Sequence, residues 1–310
     1  MLRLAIFALS ALRLFAQDDL VPAAKNPYDL ARYLDSHTNV AWEQVWKALG
    51  VAKPPEAPNC EEDGAFRCSV RVITIPRPSQ AILAINGFPV DLYIRFLQQG
   101  SGWRYAGSDA ELKKNHAGRY EISQVDGKPF LRVSGQGANG SDWDSEIETW
   151  FDLSLPDFNP VFGFTVQGGE SRVLGVSRSV LANAEEGAEG VINVVVEIRF
   201  SMGHELDLGS AQYVATYARN SGQKKFSLKG VKPYLPDGLA ISNREFELLA
   251  NIDVDRSPPT ERLLVFTLPR LKEIATGSSA DAKDWLRAVL AACKDTPEKR
   301  VLQSLLDRKR

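Results

Sequence analysis

A chain of 310 residues is long enough for one large hydrophobic core or two smaller ones. With 44% hydrophobic and 25% charged residues, its composition is that of a globular protein, which excludes a disordered chain and a multispanning membrane protein. A formal net charge of −2 leaves no basic surplus of the kind that nucleic acid requires.

The first residues read as a secretory signal. Met1-Leu2-Arg3 is a short basic start, Leu4 to Leu12 is an apolar run, and Ala16 is a small residue suited to cleavage. Residues 1–16 are therefore expected to be a signal peptide, with a second acceptable cut after Ala23. Its removal takes away Arg3 and Arg13 and no acid, moving the net charge from −2 to −4. The apolar run is too short to span a bilayer, so no transmembrane segment is expected after cleavage, and the protein is expected to be secreted or periplasmic.

Residues 17–59 read as a helical segment and a Pro-rich linker. Leu30, Tyr33 and Leu34, then Trp42, Val45, Trp46 and Leu49, recur at helical spacing. Gly50 is placed to end the second helix, and Lys53 to Pro58 is expected to be extended. Cys60 and Cys68 bracket a short acidic loop, which makes them the disulfide candidate of an oxidising compartment. Cys293 lies on a helical apolar stripe and is expected to be a small buried hydrophobe.

Residues 60–236 read as an antiparallel β domain. Short runs of period two are separated by tight-turn residues, and parallel pairing would need long crossovers instead. The strongest hairpin is Arg119–Val125 with Lys128–Ser134 around Asp126-Gly127. Its register sets Tyr120 opposite Val133, Glu121 opposite Arg132 and Ile122 opposite Leu131, with pairing expected to fray at Pro129. Further expectations are a helical turn over Ala110–His116, a turn at Gly168-Gly169 and a long exposed loop or hairpin end over Ala182–Gly190. Residues 237–310 read as a helical segment packed on the β domain. Ser242 and Glu245 form a capping box, and Arg262–Leu268 is ambiguous between strand and helix because Pro269 disturbs either. The fold class is thus mainly β (α+β): an antiparallel meander or half-barrel with helices at its N- and C-terminal ends.

Gly135-x-Gly137-x-x-Gly140 matches a dinucleotide fingerprint in letters only. That chemistry needs a helix to follow, whereas Asp142, Asp144, Glu146 and Glu148 alternate with apolar residues at the period of a strand. The glycines are therefore assigned to a turn, and no cofactor is expected. His37, His116 and His204 are far apart, and Leu208 stands where a zincin helix needs its second histidine, so no metal site is expected. No Gly-x-Ser-x-Gly elbow is present.

Two groups of side chains carry the functional reading. Carboxylates two apart on a strand lie about 6–7 Å apart, at the edge of the range for an inverting glycosidase pair. Asp142, Asp144, Glu146 and Glu148 are the catalytic candidates of that alternative. Trp143, Trp150, Trp103 and Tyr105 are the candidates for a ligand surface. The leading expectation is an exported, non-catalytic protein that binds a ligand or partner on a sheet face, with a glycan, a lipid or an envelope protein as candidate partners. A carboxylate-dependent glycan hydrolase and a structural envelope protein are the alternatives.

Overall fold

The computed structural model describes residues 23–37, 40–60, 68–76, 79–112, 119–139, 143–172, 176–187, 190–202, 206–220, 222–251 and 260–308. The expected signal peptide, Asp142, His116 and His204 lie outside the described residues. The chain is mainly β with helices at both ends. In order it forms α1 (Pro27–Ser36), α2 (Trp42–Leu49), β1 (Ser69–Ile75), β2 (Gln80–Asn86), β3 (Val90–Gln99), β4 (Gly102–Leu112), β5 (Arg119–Val125) and β6 (Lys128–Asn139). There follow β7 (Trp143–Asp152), β8 (Pro160–Arg172), β9 (Val176–Glu186), β10 (Ile192–Met202), β11 (Leu206–Ala218) and β12 (Ser227–Pro233). The last four elements are α3 (Asn243–Ala250), α4 (Thr260–Thr276), α5 (Ala280–Ala292) and α6 (Pro297–Asp307). One sheet has the order β1-β2-β3-β4 and the other β12-β11-β10-β9-β8-β7-β6-β5, so each is a meander of sequence neighbours. Two compact units result, Met1–Gln136 with Thr149–Val161, and Gly137–Glu148 with Phe162–Arg310.

In the first unit the alternation of β3 decides the layers. Leu92, Ile94 and Phe96 pack with Leu83 and Ile85 against Leu30, Leu34, Val45 and Trp46 of α1 and α2. Tyr93 points the other way and packs with Ile82 and Ala84 against Leu131, Val133, Phe151 and Leu153. Arg95, on the Tyr93 side, donates to Gln80 Oε1 at 2.7 Å and to the carbonyls of Leu153, Leu155 and Asp157 at 2.6, 2.8 and 3.3 Å. A bulge facing Arg95 and Phe96 reverses the faces along β4. Tyr105 is opposite Phe96 on the helix side, whereas Gly107 and Asp109 are opposite Arg95 and Tyr93. Gly107 has φ +137°, and a Cβ there would meet the Phe158 Cβ at 2.6 Å, so only glycine fits the bulge.

Cys60 and Cys68 are bridged with a sequence separation of 8. Closing so short a loop restricts the unfolded chain, and the C60S/C68S double variant is expected to lose about 2–3 kcal/mol. Urea unfolding with and without reductant measures this, because the variant should match the reduced wild type.

In the second unit Ile192, Val194, Val196, Ile198 and Phe200 of β10 are buried on one face. Phe200 stacks on Phe266 of α4 at 5.9 Å, and Tyr213 of β11 meets Phe246 of α3 edge-on at 6.2 Å. Buried Arg178 of β9 donates to the carbonyls of Leu248, Leu249 and Asn251, the acceptors that the end of α3 leaves open. The capping box of α3 is present in full, with Ser242 Oγ accepting from Glu245 N–H and the Glu245 carboxylate accepting from Ser242 N–H.

The structure departs from the sequence reading at five places. Gly135 and Gly137 lie inside β6 and not in a turn. A Cβ on Gly135 would meet Glu111 Oε2 at 2.8 Å, and one on Gly137 would meet Ser145 Oγ at 2.5 Å, so these glycines make room for crossing side chains. Ala110–Leu112 is strand, because β4 pairs with β3 up to Val90↔Leu112. Gly168 and Gly169 are paired within β8, opposite Val180 and Ser179. Ala182–Glu186 belongs to β9, where the small residues Ala182 and Ala184 are buried and every second position is exposed. Pro129 stays in register opposite Gln124, at the strand end where its missing N–H costs least. The ambiguous Arg262–Leu268 stretch is helical. Pro269 removes the donor for the Val265 carbonyl, and the neighbouring Thr267 hydroxyl donates to Leu263 O at 2.6 Å.

Candidate functional site

The four-stranded sheet carries an acidic patch in the first unit, on the face of β3 opposite to the helices. One cross-strand row is Asn86, Asp91 and Glu111; the next is Ala84, Tyr93 and Asp109. Asp91 is buried and accepts the Gly87 N–H at 3.2 Å. Asp109 and Glu111 are half-buried, so water still reaches them. Burial raises the Glu111 carboxyl to about 7, with the neighbouring Asp109 adding to the rise and a hydrogen bond with Thr149 opposing it. Burial also raises Asp109, against a backbone hydrogen bond from Ala110. The Tyr93 hydroxyl is held above its usual range by burial first and then by Asp91, Glu111 and Tyr120. Tyr93 Oη and Asn86 Oδ1 are buried polar atoms without a hydrogen-bond partner among the described residues. The patch therefore combines two water-accessible carboxyl groups with two unsatisfied polar atoms.

Electrostatics here has a measurable consequence. A carboxyl raised in the folded state holds its proton more tightly than in the unfolded chain. The folded form therefore binds more protons between the ordinary glutamate range and about 7, and stability falls as pH rises through that window. Urea midpoints of wild type and E111Q at about pH 5 and about pH 8 are expected to diverge, with the wild type losing stability at the higher pH and E111Q losing less.

The residues singled out from sequence fall elsewhere. β7 is an extended strand, as its alternation requires. Asp144 is exposed, Glu146 and Glu148 are half-buried, and the buried Ser145 and Thr149 alternate with them. Trp143 belongs to the same strand. Trp150 is only 1% exposed, edge-on to Phe130 at 5.9 Å, with the Arg132 guanidinium 4.8 Å from its ring centre, so it is a core residue. Trp103 and Tyr105 pack toward α1 and α2, Trp103 edge-on to Tyr28 at 6.0 Å and Tyr105 sharing a hydrogen bond with Ser108. Trp150, Trp103 and Tyr105 therefore do not form one surface. His37 closes α1, stacked on Tyr33 at 4.1 Å and hydrogen-bonded to its carbonyl. Among the described residues no three His, Cys, Asp or Glu side chains are grouped to hold a metal ion.

The acidic patch was missed in the sequence because its members come from three strands. Gly107 was the available signal: it marks the bulge that turns Asp109 and Glu111 to the inner face. No protein-family model matches the chain, and no curated protein and no solved structure matches it.

Proposed function

We propose that this is an exported, non-catalytic binding protein whose acidic patch takes a hydroxyl-rich ligand, a glycan by chemical class. The observation that carries the reading is the juxtaposition of half-buried Asp109 and Glu111 with the orphaned Tyr93 Oη and Asn86 Oδ1. Buried polar atoms without partners cost stability, and the half-buried Asp109 and Glu111 carboxyl groups beside them are what a ligand rich in hydroxyl groups reaches. Sugar hydroxyls donate and accept, which suits a patch whose Glu111 carboxyl changes role near neutral pH. The Cys60–Cys68 bridge supports export, since such bridges persist in oxidising compartments.

An oligosaccharide array followed by calorimetry on the best binder tests this. E111Q and N86A are each expected to weaken binding about tenfold, equivalent to about 1.4 kcal/mol. Absence of any oligosaccharide binding, or unchanged affinity in both variants, overturns the proposal. A second reading, a glycan hydrolase using Asp109 and Glu111, is favoured by the elevated Glu111 carboxyl, which is where a general acid works. Release of reducing ends by wild type but not by E111Q would select it over simple binding.

A further inference from the structure

The segment between β12 and α3 exposes three large apolar side chains: Tyr234 at 54%, Leu235 at 57% and Leu239 at 45%. These residues add nothing to the core, yet the backbone that carries them is held in place. Tyr234 N–H donates to Gln212 O of β11 at 2.8 Å, and Gly238 N–H donates to Leu235 O at 3.0 Å. The turn Leu235-Pro236-Asp237-Gly238 has proline second and glycine fourth, the residues that such a turn favours. A Cβ on Gly238 would meet the Pro233 Cβ at 2.5 Å, so the turn closes back on the end of β12. Ser242, capping α3, fixes the other end. The result is a pinned loop with its apolar residues in water.

The stretch of chain that carries this loop is basic, opposite in sign to the whole. From Arg219 to Arg244 there are six basic residues and a single acid, Asp237, in a protein of net charge −2. Lys232 at the end of β12 and Arg244 in the first turn of α3 are exposed on either side of the loop, whereas Lys229, nearer the start of β12, donates to Asn220 Oδ1. Arg219 instead lies over the Phe226 ring at 4.4 Å. Beyond the loop, Glu245 is paired with Arg262, and Glu247 acts on Tyr217.

We propose that this loop is a membrane-surface contact, with Tyr234, Leu235 and Leu239 entering the headgroup region of an anionic bilayer and Lys232 and Arg244 engaging its phosphates. The charge complementarity selects an anionic surface. The small apolar area selects lipid over protein, because a stable protein interface buries on the order of 800 Å² on each partner and is depleted of lysine. A short apolar tip flanked by exposed basic residues is what an interfacial anchor uses.

The test is co-sedimentation of the full chain with vesicles of about one-third phosphatidylglycerol in phosphatidylcholine, and with vesicles of phosphatidylcholine alone. Wild type is expected to sediment with the anionic vesicles, less so at high salt, and to remain in solution with the neutral ones. Y234S/L235S/L239S and, separately, K232E/R244E are expected to bind about tenfold more weakly. Both variants change exposed side chains, so their thermal midpoints should equal that of wild type; a shifted midpoint is answered by repeating the assay with L235S alone. Wild type left in the supernatant with anionic vesicles overturns the proposal. Sedimentation of the triple variant equal to wild type also overturns it, because binding then comes from another part of the chain. Capture of an acidic protein without any vesicle binding overturns it as well.

Discussion

Replacing Arg95 with methionine is expected to lower the unfolding free energy by about 3–5 kcal/mol. Arg95 is 1% exposed and serves four acceptors: Gln80 Oε1 and the carbonyls of Leu153, Leu155 and Asp157. Methionine fills much of the space but donates nothing, so several buried oxygens lose their donor at once. Burial alone lowers the arginine pKa, and the charges of Asp152 and Asp157 oppose that. Lysine is expected to rescue poorly, since its single ammonium cannot reproduce the planar fork that reaches carbonyls on separate residues. Urea unfolding of wild type, R95M and R95K measures the effect. A loss below about 1 kcal/mol in R95M would show that water replaces the guanidinium and that the network is dispensable.

A comparable loss, about 3–5 kcal/mol, is expected for Phe200→Ala in the second unit. Phe200 closes the buried row of β10 and stacks on Phe266 of α4. Truncation removes the ring and leaves a void that a β-sheet and a helix fixed by other contacts cannot fill. Valine or leucine at the same position should recover part of the loss, because the cost follows the cavity volume. Unfolding followed both by far-ultraviolet circular dichroism and by tryptophan fluorescence provides the check. A loss under about 1 kcal/mol would mean that α4 holds its place on the sheet without this stack.

What the sequence disclosed, and what it concealed, follows from the range of the interactions involved. The Asp126-Gly127 hairpin was legible down to its register, Glu121 opposite Arg132 included, because a two-residue turn fixes the pairing of its own strands. The capping box at Ser242 and the Cys60–Cys68 bridge were legible for the same reason, since their partners lie within a few residues. Gly168-Gly169 and Ala182–Glu186 misled because glycine and alanine normally mark turns or weak strands, whereas here long pairing through β8, β9 and β10 overrides their local preference. The acidic row of β7 was correctly read as extended. Which carboxylates become buried was not legible, because that depends on Gly135 of β6 leaving room for Glu111 of β4. Period two assigns alternate residues to a face; it cannot say that a bulge at Gly107 exchanges the faces midway.

Cys293 is buried at the end of α5, while the other two cysteines are joined to each other. It is therefore the one thiol left for chemistry, and it is shielded for as long as the C-terminal helices stay seated. An alkylating reagent should modify the native protein slowly, at a rate set by how often α5 lifts away. Mass spectrometry of timed quenches would then count those openings directly, through the mass added at this one position and without any substitution in the sequence.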